Sequence, residues 1–518
     1  PGGTLLVNVD AFDRRSLDLA KYESNPLEDG SLASYHVIAV ELTKLTHETL
    51  KDSGLDKKAI DRSKNMLALG LSLWMYSRPL EPAIEWVTRK FESKPEVRDA
   101  NINLLKKGFH FGETAELFTY RYEISPARLK KGTYRAIKGA EALALGLIAA
   151  GERSGLTVFY GSYPITPASD LLHELSRYKN FGVTTFQAED EIAAIGAAIG
   201  ASFGGNLGVT GTSGPGVALK TEAMGLAVMT ELPLVVVNVQ RGGPSTGLPT
   251  KTEQSDLLQA MYGRNGEAPM PIVAASTPGD CFFAAYEAAR IAVRYMTPVM
   301  LPSDGYLANG AQPWAIPEVD ELPPIEVRFA EPGPNVAEGG LTFLPYLRDE
   351  ETLGRPWAKP GVAGLEHRIG GLEKQAVTGN VSYDPDNHEY MVKLRAEKVE
   401  RIAQDFPPTE IFGDDEGDLL VIGWGSTRGA IEAAIERQRS NGLRVGSIHL
   451  RYLNPLPADL PDIFSRFDGW LVPELNNGQL IRILRDKYLL DFKPLNKIKG
   501  LPFKASEIER EIERLLNH

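Results

Sequence analysis

Short runs rich in β-branched residues alternate with alanine-rich stretches between Ala136 and Leu301, and no other feature of the chain restricts its fold as much. The runs are Val158-Phe-Tyr160, Val183-Thr-Thr-Phe186, Leu207-Gly-Val-Thr210, Leu234-Val-Val-Val237 and Pro298-Val-Met-Leu301. Residues 192–201, 217–229 and 282–295 lie between them with helical composition. Strands connected through helices pair in parallel, and a parallel sheet needs both faces covered. The alternation therefore predicts a doubly wound α/β domain whose ligands bind in the loops at the carboxyl ends of its strands.

At 518 residues the chain is too long for one ordinary core. Residues 1–112 read as a first unit with strands at Leu5–Val9 and Ile38–Leu42 and packing helices at 60–76 and 82–91. Residues 113–135 read as a linker and 136–310 as the doubly wound domain. Residues 311–410 are proline-rich, then charged, and read as an irregular interface segment. Residues 411–518 form a final α/β unit that opens at Asp418-Leu-Leu-Val-Ile422 and closes on the helix Ser506–Leu516. The chain runs from Pro1-Gly-Gly straight into a strand, unlike a signal peptide, and this start reads as the middle of a domain.

A net charge of −12 argues against a general nucleic-acid binder, which needs a basic excess to neutralise phosphates. The most apolar stretch, Leu232–Val239, has the length of a buried strand and is too short to span a membrane. With one cysteine, Cys281, the chain can form no internal disulfide and cannot ligate an iron–sulfur cluster by itself. A reducing cytoplasm is the expected compartment. Cys281 itself reads as a buried helix residue.

Four segments of the central domain carry the candidate chemistry. Gly161-Ser-Tyr-Pro-Ile-Thr-Pro-Ala168 sets Thr166 between two prolines, in a stiff turn that presents one hydroxyl. Gly211-Thr-Ser-Gly-Pro-Gly216 joins a strand to a helix, where backbone N–H groups can meet an anion or a polar ring, although a plain tight turn fits it equally. Arg241 follows the most apolar strand, placed either to clamp a carboxylate with its planar fork or to form a surface salt bridge. Phe186-Gln-Ala-Glu-Asp-Glu191 runs into an Ala/Gly helix. Its three acids suit a helix N-terminus by charge alone. Glu191 also adjoins small residues that let the helix pack closely. Glu366-His-Arg368 and Asp384-Pro-Asp-Asn-His388 offer metal-type side chains, but Asp-Pro-Asp-Asn reads first as a turn, and no metal site is assigned.

Tyr163-Pro-Ile-Thr-Pro167, Glu189-Asp-Glu191 with Gly200-Ala201, Thr212-Ser-Gly-Pro-Gly216 and Arg241-Gly-Gly-Pro-Ser-Thr-Gly247 occur in this order. As a set they resemble the motifs of the α subunit of 2-oxoacid:ferredoxin oxidoreductases. Val472–Leu480 and Gly500-Leu-Pro-Phe503 are similar to that family's transketolase-C-terminal-like domain, and residues 1–112 to the tail of a γ domain fused ahead of α. Gly364-Leu-Glu-His367 with Asp386-Asn-His388 resembles the 2-oxoglutarate-type branch. Ala140 departs from the family, whose members often carry Asn there, and reads as local packing.

The resemblance implies a thiamine-diphosphate-type pyrimidine-binding domain. Glu191 would hydrogen-bond the aminopyrimidine ring, and Arg241 and Thr166 would hold the carboxylate of the 2-oxo acid. Tyr163, Pro164, Ile165, Thr212, Ser213 and Gly214 would complete the cofactor contacts. The implied reaction converts 2-oxoglutarate, CoA and oxidised ferredoxin into succinyl-CoA, CO2 and reduced ferredoxin, and read backwards it is a carboxylation. No Gly-Asp-Gly motif with its paired Asn is present; Ser303-Asp-Gly-Tyr306 is the nearest string and fits a closing turn better. Mg2+ and the iron–sulfur cluster are therefore expected on a β subunit that shares the thiamine diphosphate, in an (αβ)2 heterotetramer. Pyruvate and branched-chain 2-oxo acids are the substrate alternatives, with Lys251, Thr250, Ser245 and Lys220 as candidates for a distal carboxylate. A nicotinamide or flavin enzyme would need a Gly-x-Gly-x-x-Gly fingerprint, which is not found. A non-catalytic assembly subunit would not need Glu191 and Arg241 together.

Overall fold

The computed structural model describes residues 2–115, 121–127, 129–333 and 343–516. Parts of the expected linker (116–120 and 128) and of the expected irregular segment (334–342) lie outside the described residues. The chain forms two compact units, residues 1–131 and 132–518. No helix among the described residues is long and apolar enough to cross a membrane.

In the first unit the strands Thr4–Asn8 and His36–Val40 pair in parallel. The helices Lys57–Met75 and Pro95–Thr114 press together at two glycines. A Cβ on Gly70 would come within 2.0 Å of the Leu105 carbonyl, and one on Gly108 within 2.0 Å of the Leu67 carbonyl. The second of these helices was not anticipated, and Gly108 serves in it as a contact point.

The second unit holds a seven-stranded sheet and a five-stranded sheet. The seven-stranded order is Tyr452–Asn454, Ile272–Val273, Pro298–Asp304, Leu234–Gln240, Leu207–Thr212, Val158–Ser162 and Val183–Gln187. Every pair is parallel except the first. The five strands expected from β-branched runs are all present and form its body. Strand order reverses about Val158–Ser162, which has Val183–Gln187 on one side and Leu207–Thr212 on the other. Such a reversal opens a crevice at the carboxyl ends of the strands. The five-stranded sheet runs Ile411–Gly413, Val445–Leu450, Leu419–Trp424, Trp470–Glu474 and Lys493–Asn496, and only its first pair is antiparallel.

Residues 311–410 differ from expectation. Ala311–Ala315 pairs antiparallel with Tyr134–Lys138 and brings the two ends of the doubly wound domain together. Asp384-Pro-Asp-Asn is not a free turn: Asp384 caps the helix Pro385–Arg401, accepting from the Asn387 N–H at 2.7 Å. The buried positions of that helix are Met391, Leu394, Arg395, Lys398 and Val399, a helical stripe in which two members are charged. An apolar periodicity cannot register such a stripe.

Those cations have a target. Glu231 ends the helix Thr221–Thr230 in the left-handed conformation and is 1% exposed. Its carboxylate accepts from Arg348 Nη2 at 2.7 Å and Lys398 Nζ at 2.5 Å. Arg355 Nε reaches the Thr230 carbonyl at 2.8 Å, and Lys374 Nζ the Met229 carbonyl at 3.3 Å. Positive side chains thus satisfy the carbonyls left over at a helix C-terminus. Burial raises the Glu231 pKa, and Lys398 and Arg348 more than reverse this, holding the carboxyl well below the usual range. Asn387 bonds the backbone of Lys374 and Ala376, and His388 pairs with Glu373. These two residues brace the strap that carries the cations.

Removing the anion strands two buried cations, whereas removing one cation leaves Glu231 its partner Arg348. Glu231→Leu should therefore cost about 3–5 kcal/mol in urea unfolding, and Lys398→Met distinctly less. The reverse order would contradict this account of the strap.

Candidate active site

Four neighbouring strands deliver the candidate residues to the carboxyl end of the sheet. Ser162 is in register with Gln187 and Gly211, and Thr212 with Asn238. The loops that follow, 163–168, 188–190, 213–216 and 241–256, therefore begin side by side at the crevice.

The Phe186–Glu191 acids separate by role. Asp190 caps the helix Glu191–Phe203, accepting from the Ala193 N–H at 2.7 Å, and Glu189 is exposed. Glu191, one residue inside the helix, is 6% exposed. Capping thus accounts for its neighbour and not for Glu191. A Cβ built on Gly216 would lie 1.9 Å from Thr212 Oγ1 and 3.2 Å from Glu191 Oε1, so the missing side chain at Gly216 makes room for both groups. No donor among the described residues reaches the Glu191 carboxylate. The Ser213 hydroxyl in the same turn is buried with no partner. A polar pocket wall with unclaimed acceptors suits a ring that brings its own N–H groups.

Arg241 follows the fully buried strand Leu234–Gln240 and is itself 6% exposed. Its Nη1 donates to the Thr166 carbonyl at 2.5 Å, which ties this loop to the Tyr163–Pro167 turn. Its Nε is buried and unpartnered. The surface-salt-bridge alternative does not describe this arginine. Thr166, Tyr163 and Pro164 face the exposed side of their turn, while Ile165 is half-buried. The structure thus groups Glu191 with Thr212 and Ser213, and Arg241 with Thr166.

Three residues here carry no motif of their own. Asn238 on the central strand donates to Asp256 Oδ2 at 3.0 Å. The Asp256 carboxylate packs against Gly214, where a Cβ would fall 2.9 Å from Oδ2. Burial raises its pKa, which the Asn238 hydrogen bond and Arg241 only partly offset. The third is Lys220, expected as a substrate-facing donor and found fully buried under the Glu191 helix. Its Nζ donates to the Glu191 carbonyl at 2.8 Å and to Thr210 Oγ1 at 3.1 Å. It supports the first turn of that helix from beneath and is no donor for a distal carboxylate. Lys251, Thr250 and Ser245 are exposed. Ser303-Asp-Gly-Tyr306, expected as a closing turn, instead ends the strand Pro298–Asp304 and begins the short helix Gly305–Asn309, which Asp304 caps by accepting from the Tyr306 and Leu307 N–H groups at 2.9 and 3.0 Å. Cys281 is fully buried.

Residues 151–382 match the family described as pyruvate flavodoxin/ferredoxin oxidoreductase, thiamine diphosphate-binding. The chain is 54% identical over 516 residues to the 2-oxoglutarate oxidoreductase subunit KorA of Mycobacterium tuberculosis, covering 99% of this chain and 78% of that one. It is 32% identical over 448 residues to 2-oxoacid:ferredoxin oxidoreductase 1, subunit alpha, of Aeropyrum pernix, covering 84% and 67%. A solved 2-oxoglutarate:ferredoxin oxidoreductase from Magnetococcus marinus, with 2-oxoglutarate, coenzyme A and succinyl-CoA bound, superposes with a TM-score of 0.85 at 30% identity. That superposition covers 99% of this chain and 87% of the other.

Burial pushes Lys220 down to about 8, with Glu191 and Asp190 opposing the shift. Below that pH the folded chain holds a charged, desolvated ammonium. Between there and the ordinary lysine range the unfolded chain binds more protons than the folded one, so this group's contribution to stability rises with pH. Wild type should gain stability relative to Lys220→Met as melting is moved from about pH 7 to about pH 9.5. A difference that does not change with pH would sink the reading of a charged buried lysine.

Proposed function

Since the chain belongs to the 2-oxoacid:ferredoxin oxidoreductase family, we propose that it is the α-type subunit of a 2-oxoglutarate:ferredoxin oxidoreductase, with Glu191, Arg241 and Thr166 at its reaction centre. The reaction converts 2-oxoglutarate and CoA into succinyl-CoA and CO2 and passes the electrons to ferredoxin. One observation carries the residue assignment: Glu191 is buried against the Thr212–Gly216 turn at the switch point, while Arg241 is tied across the crevice to Thr166.

Thiamine diphosphate, when bound, supplies the electron sink that protein side chains lack. Glu191 and the Ser213 hydroxyl would hold its aminopyrimidine ring, with Thr212, Gly214 and the Tyr163–Ile165 turn lining the same wall. A carboxyl fixed at a ring nitrogen governs where that nitrogen's proton resides, and such acid–base help is worth ~10²–10⁴-fold. Arg241 orients the 2-oxo acid by its carboxylate, the bidentate partner that suits a planar guanidinium. Its hydrogen bond to the Thr166 carbonyl leaves the other guanidinium N–H groups for that task.

The remaining parts of the enzyme are assigned to partners. One cysteine cannot hold an iron–sulfur cluster, and no Gly-Asp-Gly motif with its paired Asn is present for Mg2+ and the diphosphate, so both are assigned to a β subunit. The expected assembly is an (αβ)2 heterotetramer that docks ferredoxin in a reducing cytoplasm. Residues 1–112 serve as the C-terminal part of a γ domain.

Glu191→Gln should leave the fold in place and suppress proton exchange at thiamine C2, by about two orders of magnitude or more. Glu189→Gln, altering the exposed neighbour, should be mild. Equal effects of the two changes would remove the special role of Glu191.

Arg241→Lys should lower kcat/KM by on the order of 1.5–3 kcal/mol for 2-oxoglutarate and pyruvate alike, since both present a carboxylate beside the reacting carbonyl. The wild-type complex should prefer 2-oxoglutarate. A preference for pyruvate would overturn the substrate, and an active Arg241→Lys enzyme would overturn the clamp.

A further inference from the structure

The loop that bears Arg241 leaves the sheet and is exposed over residues 243–248. Within itself it is closed by three backbone bonds: Gly242 N–H to the Lys251 carbonyl at 3.0 Å, Leu248 N–H to Gly242 at 2.8 Å and Lys251 N–H to Leu248 at 2.9 Å. A small exposed loop with so few bonds needs an external anchor to hold a guanidinium in one orientation.

The anchor comes from the other sheet. Gln254 is fully buried, and both its backbone and its side chain are spent on the C-terminal α/β domain. Its N–H donates to the Leu475 carbonyl at 3.0 Å, and its Oε1 accepts from the Leu475 N–H at 3.1 Å. Its Nε2 donates to the Trp424 carbonyl at 2.7 Å, and its carbonyl accepts from Asn476 Nδ2 at 2.7 Å. The fit leaves no spare room, since a Cβ on Gly425 would lie 2.3 Å from Gln254 Nε2. Gln479 adds a second tie, donating to the Ser255 carbonyl at 2.6 Å and accepting from the Leu258 N–H at 2.9 Å. Gly500 packs on the loop as well, where a Cβ would sit 2.7 Å from Lys251 Cβ.

The Val472–Leu480 and Gly500–Phe503 segments of the C-terminal domain thus converge on the Arg241 loop. Glu474, also buried, holds the first of them rigid by accepting from the Leu480 and Ile481 N–H groups at 2.8 and 3.1 Å and from Asn476 Nδ2 at 3.0 Å. We propose that Gln254 is a positioning residue for Arg241, through which the C-terminal domain sets the carboxylate clamp. The proposal rests on the reading of Arg241 as the substrate-holding group. On this view the second sheet governs substrate affinity without touching substrate. The side-chain amide of Gln254 is matched to one donor, the Leu475 N–H, and one acceptor, the Trp424 carbonyl, so a side chain of similar size that lacks the amide leaves both of these backbone groups buried and unpaired.

The test uses Gln254→Met in the αβ complex, with Gly425→Ala, a change outside the loop at a left-handed position, as a second variant that crowds the Gln254 amide from the far side. Two quantities are read: hydrogen exchange of the Gly242, Leu248 and Lys251 amides without substrate, and KM, kcat and thiamine diphosphate Kd. The expected result is amide exchange faster by ~10-fold or more, together with a KM for 2-oxoglutarate raised by ~10-fold at a cofactor Kd changed less than ~2-fold. Should Gln254→Met fail to fold, Gly425→Ala carries the same expectation. Unchanged amide exchange overturns the anchor. Faster exchange at an unchanged KM overturns the link to Arg241. A joint fall of kcat and cofactor affinity also overturns it, because the damage would then be general. Failure of the clamp itself is read separately from Arg241→Lys, which leaves the exchange result intact.

Discussion

How closely the Glu191–Phe203 helix can approach the sheet decides whether there is a site at all. A Cβ on Gly161 would lie 2.5 Å from the Ala194 carbonyl, and one on Gly208 2.4 Å from the Ala198 carbonyl. Two glycines on adjacent strands let the helix backbone rest directly on the strands that flank the switch point. That contact lowers Glu191 into the crevice beside Gly216. A third small position, Gly216, then admits both the Glu191 carboxyl and the Thr212 hydroxyl. Larger residues at these places would lift the helix off the sheet and carry the carboxylate towards solvent, where a defined hydrogen bond to a cofactor ring is hard to maintain.

Burying charge is the second theme, and the second unit does it in two ways. At the end of the Thr221–Thr230 helix the cations meet an anion and free carbonyls, a closed network in which each member supports the others. Lys220, below Glu191, donates to a carbonyl and a hydroxyl, and no described carboxylate is in ion-pair contact with it. The first arrangement is a clasp for the long strap from residue 343 to 401. The second is an incompletely compensated charge placed beneath the Glu191 backbone, and such sites commonly accompany chemistry.

The two sheets of the second unit differ in task but share one boundary. The seven-stranded sheet carries the groups assigned to cofactor and substrate on loops at its strand ends. The five-stranded sheet contributes none of them and instead bonds the longest of those loops through Gln254 and Gln479. Loops that hold reactive groups are more precise when a second rigid element supports them.

The sequence by itself determined the parallel sheet, because β-branched runs alternating with alanine-rich helices have few other ways to cover both faces. It also picked out the candidate loops, since Thr166, Glu191, Thr212 and Arg241 each follow or flank such a run. Composition alone removed cluster ligation from the chain's repertoire through its single cysteine. Local pattern set Glu191 apart from Glu189 and Asp190 by the small residues that follow it, and only the tertiary structure showed that it alone of the three is buried. Local pattern left Lys220 among the candidates for a distal carboxylate, since a lysine is ordinarily solvated and only the overlying helix makes this one internal. It missed the Pro385–Arg401 helix because the inward stripe is partly Arg and Lys, apolar in position but not in type. Gln254 carried no signal at all: its partners lie about Trp424 and Leu475, far along the chain, and a glutamine in a loop acquires meaning only when tertiary structure brings those backbone groups to it.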